Sequence, residues 1–214
     1  MVPGSADPGT TYRLIGESKE HAVRIGAAIG AVLAEQHHEI KKSDVSPWLP
    51  HVPSWPKPRD WISDRLTRVI DDVRLIARAN AVLEEYENVV VDEVDKVLVH
   101  TDVGFHNLAV DADSYTLNGI FDYEGATWAD RHHDFRYLVF ATHRQDFFEA
   151  AAAAYQAASG RPIQRDRVLL YNAACAISFL AFRDGKSAEE RWCGRTLEDD
   201  LRWSRHAIAK VLDT

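Results

Sequence analysis

Val97-Leu98-Val99-His100-Thr101-Asp102-Val103-Gly104-Phe105-His106-Asn107-Leu108-Ala109-Val110 is the stretch that decides the reading of this chain. An apolar, β-branched run leads into His100 and Asp102, and a second apolar run starts directly after Asn107. Runs of this composition read as short strands. Further on, Leu117 to Phe121 forms another run, set off by the turn-like Asp111-Ala112-Asp113-Ser114 and ending in Asp122-Tyr123-Glu124. The polar residues therefore crowd at strand ends, which are rigid mounts for side chains.

Convergence of Asp102, Asn107 and Asp122 would give one amide oxygen and carboxylate oxygens, with no sulfur or imidazole. Such a donor set suits Mg²⁺ better than zinc. With Asn107 and Asp122 on the metal, Asp102 would stay free to take a proton from a hydroxyl.

Helical patterns surround this β-rich insert. Upstream, residues 1–17 are rich in Gly, Pro and Ser and read as an extended arm. A helix starts near Ser18, carries Ile25, Ile29, Val32 and Leu33 on one face, and ends near His37-His38 and Lys41-Lys42, cations that suit a helix C-terminus. Five of the eight prolines (Pro47, Pro50, Pro53, Pro56, Pro58) then interrupt regular structure, with Trp48 and Trp55 among them, expected to pack the loop down, the alternative being that they face a ligand. Asp60 to Glu87 reads as one long amphipathic helix with Trp61, Leu66, Val69, Ile70, Val73 and Ile76 inward, and Val89–Val91 as a short strand-like run. Downstream, helices are expected over about 135–143, 147–158, 166–183 and 188–211.

Composition bounds the function classes. The chain has 214 residues, 46% hydrophobic and 27% charged, enough for a core without disulfide or metal staples. A net charge of -8 argues against coating nucleic acid and is compatible with cationic ligands. Its two cysteines, Cys175 and Cys193, have no zinc-type or C-x-x-C spacing, which points to a reducing compartment. Without a signal-peptide pattern or a membrane-length apolar run, the expected home is the cytoplasm, with neither membrane nor nucleic acid as a partner.

The string His100-Thr101-Asp102-Val103-Gly104-Phe105-His106-Asn107 resembles the H-x-D-x-x-x-x-N catalytic loop of the aminoglycoside phosphotransferase and choline kinase group, small-molecule relatives of the protein kinases. Ile120-Phe121-Asp122-Tyr123-Glu124 is similar to that group's metal-binding strand, and Asp130-Arg131-His132-His133-Asp134-Phe135 to its D-x-x-x-D-hydrophobic helix start. The resemblance implies an α+β, mainly α fold: the helical C-terminal lobe of a protein-kinase-like fold with a small β insert at the catalytic loop. It implies Asp102 as catalytic base, Asn107 and Asp122 as Mg²⁺ holders on ATP, and His100 and Asp134 as structural support of the loop. Glu124 would lie in the outer shell of the metal. The acceptor would be a small-molecule hydroxyl, cationic substrates included, in a pocket between the catalytic loop, the 45–58 loop and the C-terminal helices.

The parts that normally precede such a loop are missing from the pattern. Before His100 the glycines form no G-x-G-x-x-G, and Lys19, Lys41, Lys42, Lys57 and Lys96 offer no strand lysine for the phosphates. Residues 1–17 would then be a hinge-like arm and 18–214 the catalytic lobe, with the N-terminal β lobe absent. An uncovered apolar surface beside His100, Leu108 and Phe121 would recruit a second copy or a chain supplying that lobe. Two rival readings stand beside this one. The chain could be a catalytically inactive kinase-like scaffold. It could also be a metal-dependent HD-type phosphohydrolase using His133-Asp134, against which His100 at a strand end already counts.

Overall fold

The computed structural model describes residues 7–45, 47–140, 144–192 and 194–213. In chain order the elements are α1 (Pro8–Glu17), α2 (Lys19–Glu39), α3 (Arg59–Val69), α4 (Val73–Glu87), β1 (Lys96–Val99), β2 (Leu108–Val110), β3 (Leu117–Ile120), β4 (Thr127–Asp130), α5 (Gln145–Ser159), α6 (Arg165–Ala181) and α7 (Leu197–Leu212), with short 3₁₀ turns between. The fold is thus mainly helical, and its strands form two antiparallel pairs, β1 with β4 and β2 with β3. No helix among the described residues is long and apolar enough to cross a membrane. The chain divides into two compact units: Met1–Pro53 with Val91–Val168, and Ser54–Val90 with Leu169–Thr214.

The first unit carries all the strands and the pair α2 and α5. Ile25, Ile29 and Leu33 of α2 are fully buried, as the stripe predicts, together with Phe147, Ala151 and Tyr155 of α5. Two glycines set how closely the helices approach. A Cβ on Gly26 would lie 2.3 Å from the Phe147 carbonyl oxygen, and one on Gly30 would lie 2.0 Å from that of Ala151. Backbone packs on backbone there, which only glycine allows.

Residues 8–17 form a helix, not an extended arm. Asp7 caps it, accepting from the Gly9 and Thr10 N–H groups, and Pro8 fits the first turn, where no N–H partner is needed. Ser18 separates α1 from α2 and caps the latter through the His21 N–H. The proline loop is tied to the strands because the Pro50 carbonyl accepts from Trp128 N (2.9 Å) and Thr127 Oγ1 (2.5 Å). Trp48 is 79% exposed, so it does not pack the loop down as expected.

In the second unit the expected long helix breaks in two. Asp72 accepts from the Leu75 N–H and caps α4, leaving Val73 76% exposed; Ile62, Leu66, Ile70, Leu75, Ala79, Val82 and Leu83 are the buried positions. Trp55 does pack, stacked on Phe179 with ring centroids 4.3 Å apart. Buried Asp200 of α7 accepts from Arg183 and Arg195, both at 2.6 Å, and the last helix starts only at Leu197, not near 188 as expected. Val89–Val91 is not a strand, and Val90 is 80% exposed. Cys175 is buried; Cys193 lies outside the described residues.

Candidate active site

Pairing register builds the site. In the β1–β4 pair Lys96 faces Asp130 and Val99 faces Thr127, so the chain leaving β4 turns back beside the chain leaving β1. Residues 131–135 make a 3₁₀ turn there, followed by further turns over 136–140, where a helix was expected. This turn brings the Asp134 carboxylate onto the backbone of the loop. Its Oδ2 accepts from His100 N at 3.0 Å and its Oδ1 from Thr101 N at 2.7 Å. In the β2–β3 pair Leu108 faces Ile120, and Phe121 N donates to the Asn107 carbonyl at 3.0 Å. Asp122 therefore follows directly on a residue bonded to Asn107.

His100 braces the loop from within. The Phe121 carbonyl can only accept, so at 2.8 Å His100 Nε2 carries the proton, and Nδ1 accepts from Asp102 N at 3.2 Å. The ring is fully buried and sits 4.4 Å from that of Tyr123. The Tyr123 hydroxyl donates to Gln36 Oε1 at 2.5 Å, and burial, with Asp134 nearby, pushes its pKa up to about 12.

Asp102 contrasts with these buried groups: its side chain is 44% exposed. Its Oδ2 receives His106 Nε2 at 3.0 Å and Asn107 Nδ2 at 3.2 Å, which leaves Oδ1 for another donor. Burial alone would raise its pKa, but the His106 hydrogen bond, the His106 charge and Arg136 hold the carboxyl below its ordinary value. Asn107 is 2% exposed and also donates from Nδ2 to the Asp102 carbonyl at 2.9 Å, so its amide is oriented with the oxygen turned from this contact. Asp122 and Glu124 are exposed, and Asp122 adopts a left-handed backbone conformation (φ 70°). No hydrogen bond or ion pair among the described residues joins Asp122 to Asn107.

Four residues that sequence reading did not single out hold the loop. His37 of α2 bonds Asp134 Oδ2 through Nε2 and the Tyr155 hydroxyl of α5 through Nδ1, both at 3.0 Å. Asp134 is fully buried, which alone would raise its pKa; the His37 hydrogen bond and charge and the two loop N–H groups reverse this and keep it ionised below the ordinary range. Arg136, 1% exposed, donates to the Thr101 carbonyl at 2.6 Å. Thr101 itself has φ 71°, a genuine outlier for a β-branched residue. It is held there by Asp134, Arg136 and its own hydroxyl bond to the Gly125 carbonyl at 2.9 Å. A signal existed for His37: it continues the four-residue spacing Ile25, Ile29, Leu33 into the core. Thr101 and Arg136 offered none, since their roles depend on backbone geometry.

The expected apolar patch is not open at His100 and Leu108, both fully buried; Phe121 is half-buried. The His133-Asp134 pair does not form a metal site of the phosphohydrolase kind. His133 Nδ1 pairs with Arg136 Nη1 at 3.0 Å, and burial, then Arg136, pushes its pKa down to about 3. Both Asp134 oxygens are used by the loop, and no cluster of three or more His, Cys, Asp or Glu suited to a metal occurs among the described residues.

Comparison with known proteins agrees with this geometry. No curated protein sequence matches the chain. Its fold is similar to that of spectinomycin phosphotransferase solved with ADP and spectinomycin (TM-score 0.59, 12% identity, 88% of this chain and 64% of that one). It is also similar to an aminoglycoside 2'-phosphotransferase in its GDP complex (0.64, 17%, 98% and 69%). A third likeness is to the choline kinase LicA of Streptococcus pneumoniae (0.60, 11%, 90% and 64%). The chain thus spans just under two thirds of the spectinomycin enzyme's length. A sequence profile described as the phosphotransferase enzyme family (APH) matches residues 4–171, most of the chain and all of the loop described above, and the chain belongs to that family.

Proposed function

We propose that this chain is the catalytic lobe of a small-molecule phosphotransferase that moves the γ-phosphoryl group of ATP to a substrate hydroxyl in the cytoplasm. One observation carries the reading: a half-exposed carboxylate, Asp102, has one oxygen fixed by Asn107 and His106 and the other free, on a loop whose backbone is clamped by buried Asp134. Asp102 orients the acceptor hydroxyl and takes its proton as the oxygen–phosphorus bond forms and ADP leaves.

The residues present fit Mg²⁺. Asn107 uses its amide nitrogen within the loop, which presents its oxygen, and Asp122 is exposed one residue from the Asn107 pairing. Both are hard oxygen donors. When bound, the ion would neutralise phosphate charge. Glu124, two residues on, would reach it through water. His100 and Asp134 act on the loop's shape and touch no substrate.

Residues 1–17 serve in this reading as the connection to a nucleotide-clamping lobe, and 18–214 as the catalytic lobe. That clamp is supplied by upstream sequence or by another chain. The test is reconstitution: phosphoryl transfer from ATP, and in parallel GTP, to a panel of amino-sugar and amino-alcohol acceptors, with and without a supplied lobe. Transfer should depend on the lobe and on Mg²⁺. In that preparation Asp102→Asn should lower kcat by about 10²–10⁴-fold while nearly sparing nucleotide binding, and Asp122→Ala should weaken nucleotide binding itself. An Asp102→Asn variant as active as its parent removes the assignment. Failure to transfer to any acceptor would favour the scaffold reading.

A further inference from the structure

A cleft of about 340 Å³ opens in the first unit, lined by the end of α2, the turn before β1, Trp128 of β4 and the end of α5. Asp102, Asn107 and Asp122 do not line it. Its rim is cationic on a chain of net charge -8: Lys41, Lys42 and Lys96, three of the seven lysines, and Arg161 stand against the single carboxylate of Glu93. Its wall is apolar, with Trp128 and Val97 no more than 9% exposed, and its depth is polar, with His37 and Tyr155.

From this arrangement we infer that the cleft binds a small organic phosphate, its phosphate at the lysines and its organic part against Trp128. The volume matches a small-molecule site. The cations are available at low cost. Lys42 forms no ion pair or hydrogen bond among the described residues. Among the described residues Lys96 pairs only with Glu93, whose side chain is 77% exposed, and such surface pairs contribute little. The carbonyl end of α2 would repel an anion, but the Lys41 ammonium already lies on the His38 carbonyl and offsets that field. Arg161 is shared with Asp95 and contributes least. A ligand in this cleft would touch His37 and Tyr155, the residues that hold Asp134 and through it the loop.

The site stands whether or not the phosphotransfer reading holds, and it is tested by binding alone. Phenyl phosphate is titrated into the full chain at low salt, without divalent cations, and followed by NMR. Saturable binding should shift the Trp128 indole signal. The double variant Lys42→Gln, Lys96→Gln should bind at least about tenfold more weakly with an unchanged thermal midpoint. Asp122→Ala should bind as the parent does. No saturation by roughly 10 mM, a saturating response that leaves Trp128 unmoved, equal binding in the double variant, or loss of binding in Asp122→Ala would each overturn the inference.

Discussion

Two aspartates on either side of one loop have opposite surroundings. Asp134 is fully buried, and its oxygens serve His100 N, Thr101 N and His37. Asp102 has a side chain 44% exposed, with every side-chain bond on one oxygen. The first commits its charge to shape, and the second has one oxygen that the fold does not use. Both hold depressed pKa values, so ionisation alone would not tell them apart; the free lone pairs do.

The largest expected effect breaks this contrast or upholds it. Asp134→Ala strands two backbone N–H groups and the His37 ring in the interior, and should cost about 3–5 kcal/mol in urea unfolding. Asp102→Asn should stay within about 1 kcal/mol of the parent. Comparable losses in the two variants would mean that Asp102 is a structural residue as well.

A smaller effect comes from pH. His133 is neutral in the fold down to about 3, whereas an ordinary histidine takes its proton near 6.5. At this residue the unfolded chain therefore binds one more proton across that window. Stability should fall as pH drops from 6.5 toward 3, by up to about 1.4 kcal/mol per pH unit. Asp134 acts lower: its folded pKa lies below 3.8, so its contribution is complete above about pH 4 and is lost only as pH falls through that depressed value. Thermal midpoints against pH for His133→Gln should be flatter above pH 4 and unchanged in slope below 3. A parent curve already flat between 6.5 and 4 would contradict the burial of His133.

The smallest effect isolates the strained turn. Thr101→Gly relieves φ 71° but loses the hydroxyl bond to Gly125, so the two should nearly cancel, within about 1 kcal/mol. Thr101→Val keeps the strain, loses the bond, and should cost about 1–3 kcal/mol. Equal midpoints for the two variants would show that the backbone there is unstrained.

Much of this was legible in the sequence because it is periodic or local. The α2 stripe and the strands β1, β2 and β3 follow from apolar spacing, Asp102, Asn107 and Asp122 from their place at the ends of those strands, and Asp134 only from the family resemblance of the stretch around it. Spacing fails where a polar residue redirects the chain. Asp72 caps a helix in the middle of an apparently continuous stripe, and Asp7 with Pro8 starts one inside a Gly/Pro-rich segment. Strand β4 was missed because its partner lies some thirty residues upstream and its apolar character rests on Trp128 and Ala129. The turns after Phe135 replace an expected helix where Arg136 turns inward to Thr101. Loop clamping by His37 and Tyr155 joins residues 118 positions apart, a distance at which no local pattern speaks.

The bond of the His100 and Thr101 amides to one buried carboxylate has a consequence for time as well as shape. Amide protons leave a protein only when their bonds open to water, and these two share an acceptor that α2 and α5 both hold. Their exchange with solvent deuterium is therefore tied to the parting of those helices, while the Asp122 amide, at an exposed turn, is free to exchange by local fluctuation. Exchange should therefore be slow at His100 and Thr101 and fast at Asp122, on the two sides of the Phe121–Asn107 backbone pairing.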